Sequence, residues 1–500
     1  MAASAVIGID IGTRSTKAVL VDTLTRSILA KTSVEHSVDL PGGGRVEHDA
    51  DNVWWADTCR VIQHLVRQTP RGTEVAAIGL SSCGPCLVPV DADGHALRAG
   101  ILYGIDTRAT VEVDQLAQQW PPADALSRFG MPFSSQSTVP KIHWIERHEP
   151  EVAAKTITWM TTNGYVASRL TGVRAVDHHQ AAYFAPWYSQ AGWSDAGARM
   201  PALVWSDAAI GGITREASAL TGLPTGVPVV IGSSDGATDP VGAGLGAGST
   251  ALLRYGSTLG VTVITAGSDV VAPGLWRTPG NRRGEVMFVG GLSTAGSVTS
   301  WFREQLAREL DQGSESAIVT AHGTLLAEAA GSPPGAGGVL ALPYFAGERT
   351  PFADPDARGV VVGIGLGTRR GDLYRSVLEG AAFGLRHMIE VVGTGTIPID
   401  LFRSVGGGTA GDVWPQIVSD VTGVPQEIVT PHLGAPLGAA RLAAEGTGLI
   451  EPGAPAWVSV ARTIEPRPEL RETYDRLYSL FRRLYVDSHD VVLGLREWRV

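Results

Sequence analysis

The sequence predicts an α/β fold of two related domains, and three features of its pattern support this. Short apolar runs typical of strands alternate with amphipathic helical patterns along most of the 500 residues. A strand–turn–strand–strand unit begins at Ala5, and a second unit with the same order begins at Ala251. The 62 glycines cluster in short turns between apolar runs, as in proteins that wrap backbone around a ligand.

The first half of the chain opens with three predicted strands separated by turn-forming residues. The strands cover Ala5–Asp10, Lys17–Val21 and Ile28–Val34. Apolar residues at helical spacing then predict a helix over Asn52–Gln68. Further strands are expected over Val75–Leu80 and Leu87–Asp91, which gives a mixed order of strands and helices.

The second half repeats this order. Its first three strands are predicted at Ala251–Tyr255, Leu259–Thr265 and Glu285–Val289, and a helix is expected near Gly296–Leu310. The later elements are a long helix over Asp372–Val392, a strand over Leu401–Val405, a helix over Asp412–Thr422, a strand over Glu427–Thr430 and a helix over Pro436–Ala444. The similarity between the halves lies in the order of elements, not in residue identity.

Composition and charge exclude several classes of protein. The net charge is −10, from 40 basic and 50 acidic residues, so we expect no sequence-independent grip on nucleic acid. No apolar run approaches the length of a membrane span, and the N-terminal residues lack the basic region of a signal peptide. Three cysteines do not make a disulfide framework, which suits a reducing cytoplasm. We therefore expect a cytoplasmic protein without a membrane partner.

The most informative local motif is Gly8–Lys17, in which a predicted buried strand ends at Asp10 and runs into a turn rich in glycine and hydroxyl groups. Backbone N–H groups in such a turn can hold phosphate, and a nearby carboxylate can hold Mg²⁺ directly or through water. A charge inside an apolar strand is costly unless it is used, which favours this interpretation over an ordinary hairpin. The motif is not a Walker A loop, because the chain contains no Gly-Lys-Ser/Thr sequence.

Two further motifs fit the same chemistry. The apolar strand Val229–Ser234 leads into Asp235, and a carboxylate there can accept a proton from a bound hydroxyl or simply cap the following helix. The turn Gly256-Ser257-Thr258 of the second repeat corresponds to the first phosphate turn and could hold phosphate in the same way, although taken alone it is better explained as a plain hairpin.

Two other motifs indicate different chemistry. Gly406–Gly411 satisfies Gly-x-Gly-x-x-Gly between a strand and a helix, with Glu427 near the spacing of a ribose-binding acid; this would suit a dinucleotide-binding oxidoreductase. Cys83-Gly84-Pro85-Cys86 has the spacing of a thiol redox site, but a predicted strand follows it where that chemistry needs a helix. We interpret the second motif as a loop of a substrate pocket.

Taken in order, several runs resemble the FGGY family of carbohydrate kinases, and the similarity extends over nearly the whole chain. The matching runs are Gly8–Lys17, Leu342–Pro351, Leu378–Phe383, Gly406–Gly408 and Asp420–Gly423. The resemblance implies two actin-like ATPase (RNase H-like) domains flanking a central cleft. Residues 1–246 would bind the sugar and residues 247–500 would bind ATP. The implied activity is ATP-dependent phosphorylation of a terminal hydroxyl of a small sugar.

The resemblance also implies roles for individual residues. Asp235 is the implied general base, and Asp10 and Asp235 are the residues implied at Mg²⁺. The residues implied at ATP are Gly12, Thr13, Gly256, Ser257, Thr258, Gly296, Ser300, Gly408 and Asp412. The residues implied at the substrate are Asp106 and Arg108, together with Gly84 and Pro85 of the loop that reads it. The oligomeric state is left open, with a homodimer possible.

Within the family, the xylulokinase branch is the most similar, through Lys141–Val152 and Leu342–Pro351. Xylulokinases usually carry Met-His where this chain has Gly84-Pro85, and Trp-Asn-Asp where it has Gly104–Asp106. The similarity favours a pentulose such as D-xylulose as the substrate, and these departures make another ketose or a polyol the alternative.

Overall fold

The computed structural model describes residues 3–189, 191–194, 197–267, 272, 274–310, 314–352, 354–393, 397–431 and 433–498. The chain forms two compact units. Unit 1 comprises Met1–Gly246, Arg277–Met287 and Leu433–Val458, and unit 2 comprises Ala247–Trp276, Phe288–His432 and Ser459–Val500. Two segments of unit 1 thus lie beyond residue 246, within the part of the sequence from which the second domain is expected.

The strands, in chain order, are β1 Ala3–Ile11, β2 Ser15–Asp22, β3 Ile28–Glu35, β4 Asp39–Gly42, β5 Arg45–His48, β6 Thr73–Ser82, β7 Val88–Val90, β8 Gly100–Ile101, β9 Thr158–Met160, β10 Ala175–Asp177, β11 Tyr188–Ser189, β12 Gly192–Trp193, β13 Ala202–Val204, β14 Ala209–Gly212, β15 Pro228–Ser234, β16 Thr250–Tyr255, β17 Leu259–Ala266, β18 Trp276–Pro279, β19 Glu285–Leu292, β20 Leu340–Leu342, β21 Val360–Val362, β22 Leu401–Gly406, β23 Gln426–Thr430 and β24 Ser459–Ile464.

The α-helices are α1 Ala56–Gln68, α2 Thr110–Gln119, α3 Pro122–Phe129, α4 Thr138–His148, α5 Pro150–Lys155, α6 Thr162–Thr171, α7 His178–Ala181, α8 Arg215–Thr221, α9 Asp235–Gly242, α10 Gly296–Leu306, α11 Glu315–Ala330, α12 Arg370–Gly393, α13 Val413–Thr422, α14 Ala435–Gly446 and α15 Arg471–Gly494. A π-helical turn, Ala50–Trp55, precedes α1. Among the described residues, no helix is long and apolar enough to cross a membrane.

The main sheet of unit 1 has the strand order β14-β15-β6-β1-β2-β3. The three strands predicted at the start of the chain are present, and each pairs antiparallel with the next. β6 then pairs parallel to β1, and β15 pairs parallel to β6. Three neighbouring parallel strands therefore end at the same edge of the sheet, which is where α/β proteins place their ligand sites.

Both faces of this sheet are covered, because alternate residues of each strand point to opposite sides. Ile7 and Ile9 of β1 share a buried cluster with Ile62 of α1 on one face. Val6, on the other face, shares a second buried cluster with Leu437 of α14. Burying apolar side chains on two faces supplies the main stabilisation of such a layered unit.

Helix α14 explains why unit 1 takes in a late segment of the chain. It packs on β1 and β6, and glycines occupy both contact points on the strands. A Cβ atom at Gly8 would overlap the carbonyl oxygen of Pro436, and one at Gly79 would overlap the carbonyl oxygen of Ala439. The helix can approach this closely only because these two strand positions carry no side chain.

In unit 2, the strands follow the order β19-β17-β16-β22-β23-β24. β16 and β17 pair antiparallel, and β22 and β23 pair parallel to β16 and to one another, as in unit 1. β24 pairs antiparallel with β23 at the edge of the sheet, as β14 does with β15 in unit 1. The chain order differs, because β24 follows β23 whereas β14 precedes β15. The repeat of two related α/β domains that the element order predicts is thus confirmed.

Candidate active site

The parallel strands β1, β6 and β15 bring the two predicted carboxylates to one edge of the unit 1 sheet. Asp10 lies opposite Ser81 in the register of β1 and β6, and Ser81 lies opposite Ser233 in the register of β6 and β15. Asp235 follows two residues after Ser233, at the first position of α9. Asp10 and Asp235 are 225 positions apart in the sequence (235 − 10), yet the sheet makes them neighbours.

Asp10 is held in a charged and poorly solvated environment. Burial raises its pKa to about 7, helped by the nearby carboxylates of Asp235 and Asp239. A hydrogen bond from the Ser81 hydroxyl (2.9 Å) and the charge of Lys17 act in the opposite direction. Carboxylates crowded in this way gain stability from a bound cation, and carboxylate oxygens are what Mg²⁺ prefers.

The Gly12–Thr13 turn between β1 and β2 is held from one side by two histidines. His36 Nε2 lies 3.1 Å from the Gly12 carbonyl oxygen, and His48 Nε2 lies 3.1 Å from the Thr13 carbonyl oxygen. In a trans peptide the C=O and the following N–H point in opposite directions. The N–H groups of Thr13 and Arg14 therefore point away from the histidines, in the arrangement that binds an anion.

The protonation of His48 follows from its contacts. Its Nδ1 accepts a hydrogen bond from the indole N–H of Trp54 at 3.0 Å, so the proton of a neutral ring is on Nε2, from which it donates to Thr13. Burial lowers the pKa of His48 to about 4, helped by the charge of His36. His36 is supported in turn by Asp57, whose carboxylate lies 2.9 Å from Nδ1.

Replacing His48 by phenylalanine removes the donor to the Thr13 carbonyl, and we expect kcat to fall about tenfold because one N–H of the turn is no longer held in place. Steady-state kinetics would measure this, with His48→Gln, which keeps an N–H donor, as the conservative control. A His48→Phe protein that is folded and has wild-type kcat would show that this contact does not position the turn.

Asp106 and Arg108 lie in a buried network next to the predicted substrate loop. The Asp106 carboxylate accepts hydrogen bonds from the Arg108 guanidinium (2.7 Å) and from the Val46 backbone N–H (2.6 Å). Arg108 also pairs with Glu47 at 2.7 Å and lies over the ring of Trp144. The two side chains are thus engaged with the protein itself and anchor the loop, and their direct contact with a sugar stays a prediction.

The same loop has two other attachments. Lys141 is buried and donates from Nζ to the carbonyl oxygens of Leu102 (2.7 Å) and Tyr103 (2.9 Å). The hydroxyl of Tyr103 lies 3.1 Å from the hydroxyl of Thr13. The Tyr103–Asp106 loop and the Gly12–Thr13 turn are therefore fixed to one another.

The Cys83–Cys86 loop follows β6 and lies at the same edge of the sheet. Both thiols are buried and free, and their sulfur atoms are 3.8 Å apart. The hydrogen bond with Cys86, together with burial, raises the pKa of Cys83 well above its usual range, which disfavours the nucleophilic thiolate. Gly84 lies beside Ser234, the residue before Asp235, so the loop is close to the predicted base, and its contact with a substrate stays a prediction.

Unit 2 contains a cavity of about 560 Å³, a size typical of small-molecule sites. Five of the predicted ATP residues line it: Gly256, Ser257, Gly296, Ser300 and Gly408. Aromatic and apolar side chains supply much of the remaining wall, namely His322, Leu326, Tyr374 and Trp414. Such a wall suits a flat heteroaromatic ring such as a purine.

The Gly256–Ser257 turn lies against the N-terminus of α10. The Gly256 carbonyl oxygen accepts from the Gly296 N–H (3.1 Å), and the Ser257 carbonyl oxygen accepts from the Ala295 and Ser297 N–H groups (3.0 Å each). Because those carbonyls are engaged, the N–H groups of Ser257 and Thr258 point away from the helix. This is the same arrangement as in the Gly12–Thr13 turn, and a side chain at Gly296 would overlap the turn.

Two predicted ATP residues of unit 2 are not among those that line the cavity. Thr258 is exposed, and its carbonyl oxygen accepts from the Gly256 N–H (3.0 Å). Asp412 precedes α13 and pairs with Arg462 at 2.9 Å. Glu427, the acid on which the dinucleotide alternative depends, pairs with Arg403 on the adjacent strand, and it does not line the cavity either.

Sequence reasoning missed several residues that shape these sites. The histidines that hold the first turn, His36 and His48, and the cavity residues His322 and Trp414 are examples. His36 and His48 lie 24 and 35 positions from the carbonyls that they contact, and a single histidine or tryptophan has no distinctive local signal.

The structure consists of two related α/β domains, and comparison with known proteins identifies the family. The family model described as "FGGY family of carbohydrate kinases, N-terminal domain" matches residues 5–242, and the corresponding C-terminal domain model matches residues 251–446. This chain belongs to the FGGY family of carbohydrate kinases, so it is an ATP-dependent sugar kinase. The oxidoreductase alternative is not what the comparisons show.

Individual relatives cover almost all of the chain. The xylulose kinase of Bacillus subtilis (strain 168) is 27% identical over 514 residues, covering 99% of this chain and 99% of that protein. The xylulose kinase of Escherichia coli (strain K12) is 30% identical and covers 87% of this chain and 89% of that protein. The crystal structure of xylulose kinase from Rhodospirillum rubrum is 31% identical with a TM-score of 0.88, covering 98% of this chain and 99% of the other.

Proposed function

We propose that this chain transfers the γ-phosphoryl group of ATP to a terminal hydroxyl of a pentulose, with D-xylulose as the first candidate. The observation that carries the proposal is the placement of Asp235 at the end of β15, beside Asp10 and the Gly12–Thr13 turn. A base, a cation-binding carboxylate and a phosphate turn at one sheet edge are the groups that phosphoryl transfer requires. Similarity to xylulose kinases over nearly the full chain supports the choice of sugar.

Asp235 is the proposed general base. Its side chain is exposed at the first position of α9, and one carboxylate oxygen accepts from the Gly236 N–H at 2.8 Å. The helix N-terminus stabilises the ionised carboxylate, and its exposure leaves it open to a bound hydroxyl. It would orient that hydroxyl and take its proton as the oxygen attacks phosphorus.

Mg²⁺ is the proposed metal, and the residues present fit it. Asp10, Asp235 and Asp239 are close enough for the two other carboxylates to raise the pKa of Asp10. Mg²⁺ is usually held by one or two carboxylates together with substrate phosphates and water, so a complete protein cage is not needed. Asp10 and Asp235 would hold the ion, which when bound neutralises charge on the phosphates.

The nucleotide is proposed to bind in the cavity of unit 2. The N–H groups of Ser257 and Thr258 would bind phosphate oxygens, and Trp414 and Tyr374 would pack on the base. A Cβ atom at Gly408 would lie within 3 Å of the Trp414 ring, so any side chain at this position would displace the ring. Thr13 and Gly12 would bind phosphate through the turn of unit 1.

Another ketose or a polyol is the second candidate substrate class. The observation that favours it is the Gly84-Pro85 loop, which carries no hydrogen-bonding side chain where it lies beside Ser234 and Asp235. A sugar hydroxyl that binds such a side chain in the xylulokinase branch would have to find another partner here. Sugars that differ at one hydroxyl are therefore the informative comparison.

A coupled assay of ADP release with ATP and Mg²⁺ tests the proposal. The substrates would be a panel of pentuloses, hexuloses, tetruloses and polyols, with no sugar as the blank. We expect turnover to be greatest on D-xylulose. Higher turnover on a different ketose or polyol would keep the mechanism and replace the substrate. No ADP above the blank with any compound would contradict the proposed function.

A further inference from the structure

Gln180 of α7 is a buried side chain that neither the sequence motifs nor the proposed mechanism uses. It is fully buried and lies between two polar groups of unit 1, Asn163 on α6 and Asp177 at the end of β10. Its side-chain amide lies next to Gly84 in the Cys83–Cys86 loop. The Gln180 side chain thus lies between the buried polar groups of unit 1 and the sheet edge that carries Asp10 and Asp235.

The orientation of this amide is determined by its neighbours. Gln180 Nε2 donates to Asn163 Oδ1 at 2.6 Å and to Asp177 Oδ2 at 3.0 Å. Asn163 uses its own Nδ2 to donate to the Ile231 carbonyl at 3.0 Å, so its Oδ1 must be the acceptor. Both neighbours of Nε2 are therefore acceptors, and the amide cannot be reversed without placing oxygen against oxygen.

The carbonyl oxygen of Gln180 consequently points the other way, towards the site. Among the described residues, Gln180 Oε1 has no hydrogen-bond partner although it is buried. It lies 2.8 Å from the position that a Cβ atom would take on Gly84, and the Cβ of Ser234 lies 3.4 Å from the same position. Asp235 is the next residue. A buried acceptor without a partner is costly, so a ligand group or a water molecule is expected there.

We propose that Gln180 Oε1 accepts a hydrogen bond from a hydroxyl of the sugar, other than the hydroxyl that is phosphorylated. The proposal rests on the proposed function and names a residue that determines its specificity. The space next to this buried oxygen exists because Gly84 has no side chain, since a Cβ atom there would lie only 2.8 Å from Oε1. An acceptor at this place favours a hydroxyl and disfavours a carboxylate or ketone oxygen, since neither of these can donate.

The test combines one protein variant with one change in the substrate. Gln180→Met keeps the length of the side chain and removes the amide, and Gln68→Met, an exposed glutamine on α1, is the matched control. Wild type and variants would be assayed with the best sugar of the panel and with each of its monodeoxy analogues that keeps the phosphorylated hydroxyl. The readouts are kcat/KM for the sugar and KM for ATP.

We expect wild type and Gln68→Met to lose about tenfold to a hundredfold in kcat/KM on one particular deoxy analogue. Gln180→Met should lose a similar factor on the parent sugar and then use the parent and that analogue equally well. KM for ATP should stay within twofold in all proteins, which shows that the variant is folded. Gly84→Ala, which pushes a methyl group against Oε1, should lose the same discrimination.

Two results would overturn the proposal in different ways. If Gln180→Met and Gly84→Ala discriminate against every deoxy analogue as wild type does, Oε1 binds water only and the proposal is wrong while the kinase function stands. If wild type turns over no sugar, the proposed function fails and this proposal fails with it. Loss of discrimination in Gln180→Met alone would still support the hydroxyl contact, because Gly84→Ala also depends on how far the loop can shift.

Discussion

Replacing Asp235 by asparagine is expected to lower kcat by about a thousandfold while changing the affinity for ATP by less than about threefold. Asparagine has nearly the same shape and can still accept the hydrogen bond from the Gly236 N–H, so the start of α9 should be preserved. It cannot take a proton from the attacking hydroxyl. The loss should therefore appear in the chemical step, and ADP release together with nucleotide titration would separate the two effects.

The control for this variant is Asp124→Asn, which changes an exposed aspartate in the first turn of α3 in the same unit. It should leave kcat within twofold of wild type. An Asp235→Asn protein that keeps more than about a tenth of wild-type kcat would contradict the assignment of the base. Asp239, buried one turn further along α9, would then be the next carboxylate to examine.

The sequence was sufficient to predict that two carboxylates lie at strand ends, because each of them ends an apolar strand. Asp10 closes the run Ala5–Ile9 and Asp235 follows Val229–Ser234, so a local change from apolar to acidic residues marks both. Because parallel strands end at the same edge of a sheet, the two residues can be predicted to meet there without knowledge of the loops between the strands. The glycine turns were visible for the same reason, since turn chemistry is local.

What the sequence could not predict depends on contacts between distant residues. His48 is 35 positions from Thr13, whose carbonyl oxygen it contacts. Gln180 is 96 positions (180 − 84) from Gly84, beside which its amide lies. The pairing of Asp106 with Arg108 involves Glu47 and the Val46 N–H, and without those partners the two residues look available to a ligand. Helix α14 joins unit 1 because two strand glycines admit it, and neither glycine is distinctive in a chain with 62 of them.

Asp10→Asn is expected to raise the thermal stability of the metal-free protein at pH 8 while abolishing most of its activity. The pKa of Asp10 is about 7 in the folded protein, above its ordinary value of 3.8, because burial and two carboxylates disfavour its charge. A raised carboxyl pKa gives stability that is complete below pH 3.8 and is lost as the pH rises through 7. At pH 8 the ionised side chain costs up to about 4 kcal/mol, which a neutral asparagine does not.

The measurement is the thermal midpoint of wild type and Asp10→Asn in EDTA at pH 5 and pH 8, with kcat measured in Mg²⁺. The midpoint of the variant should exceed that of wild type by several degrees at pH 8 and by much less at pH 5. Asp22→Asn is a control of opposite sign: the Thr25 N–H lowers the pKa of Asp22, so losing that carboxylate should lower the midpoint at pH 8. Equal midpoints for Asp10→Asn and wild type at both pH values would mean that the Asp10 carboxylate is not destabilised by its neighbours. The site would then lack the electrostatic reason for binding a cation that the proposed mechanism gives it.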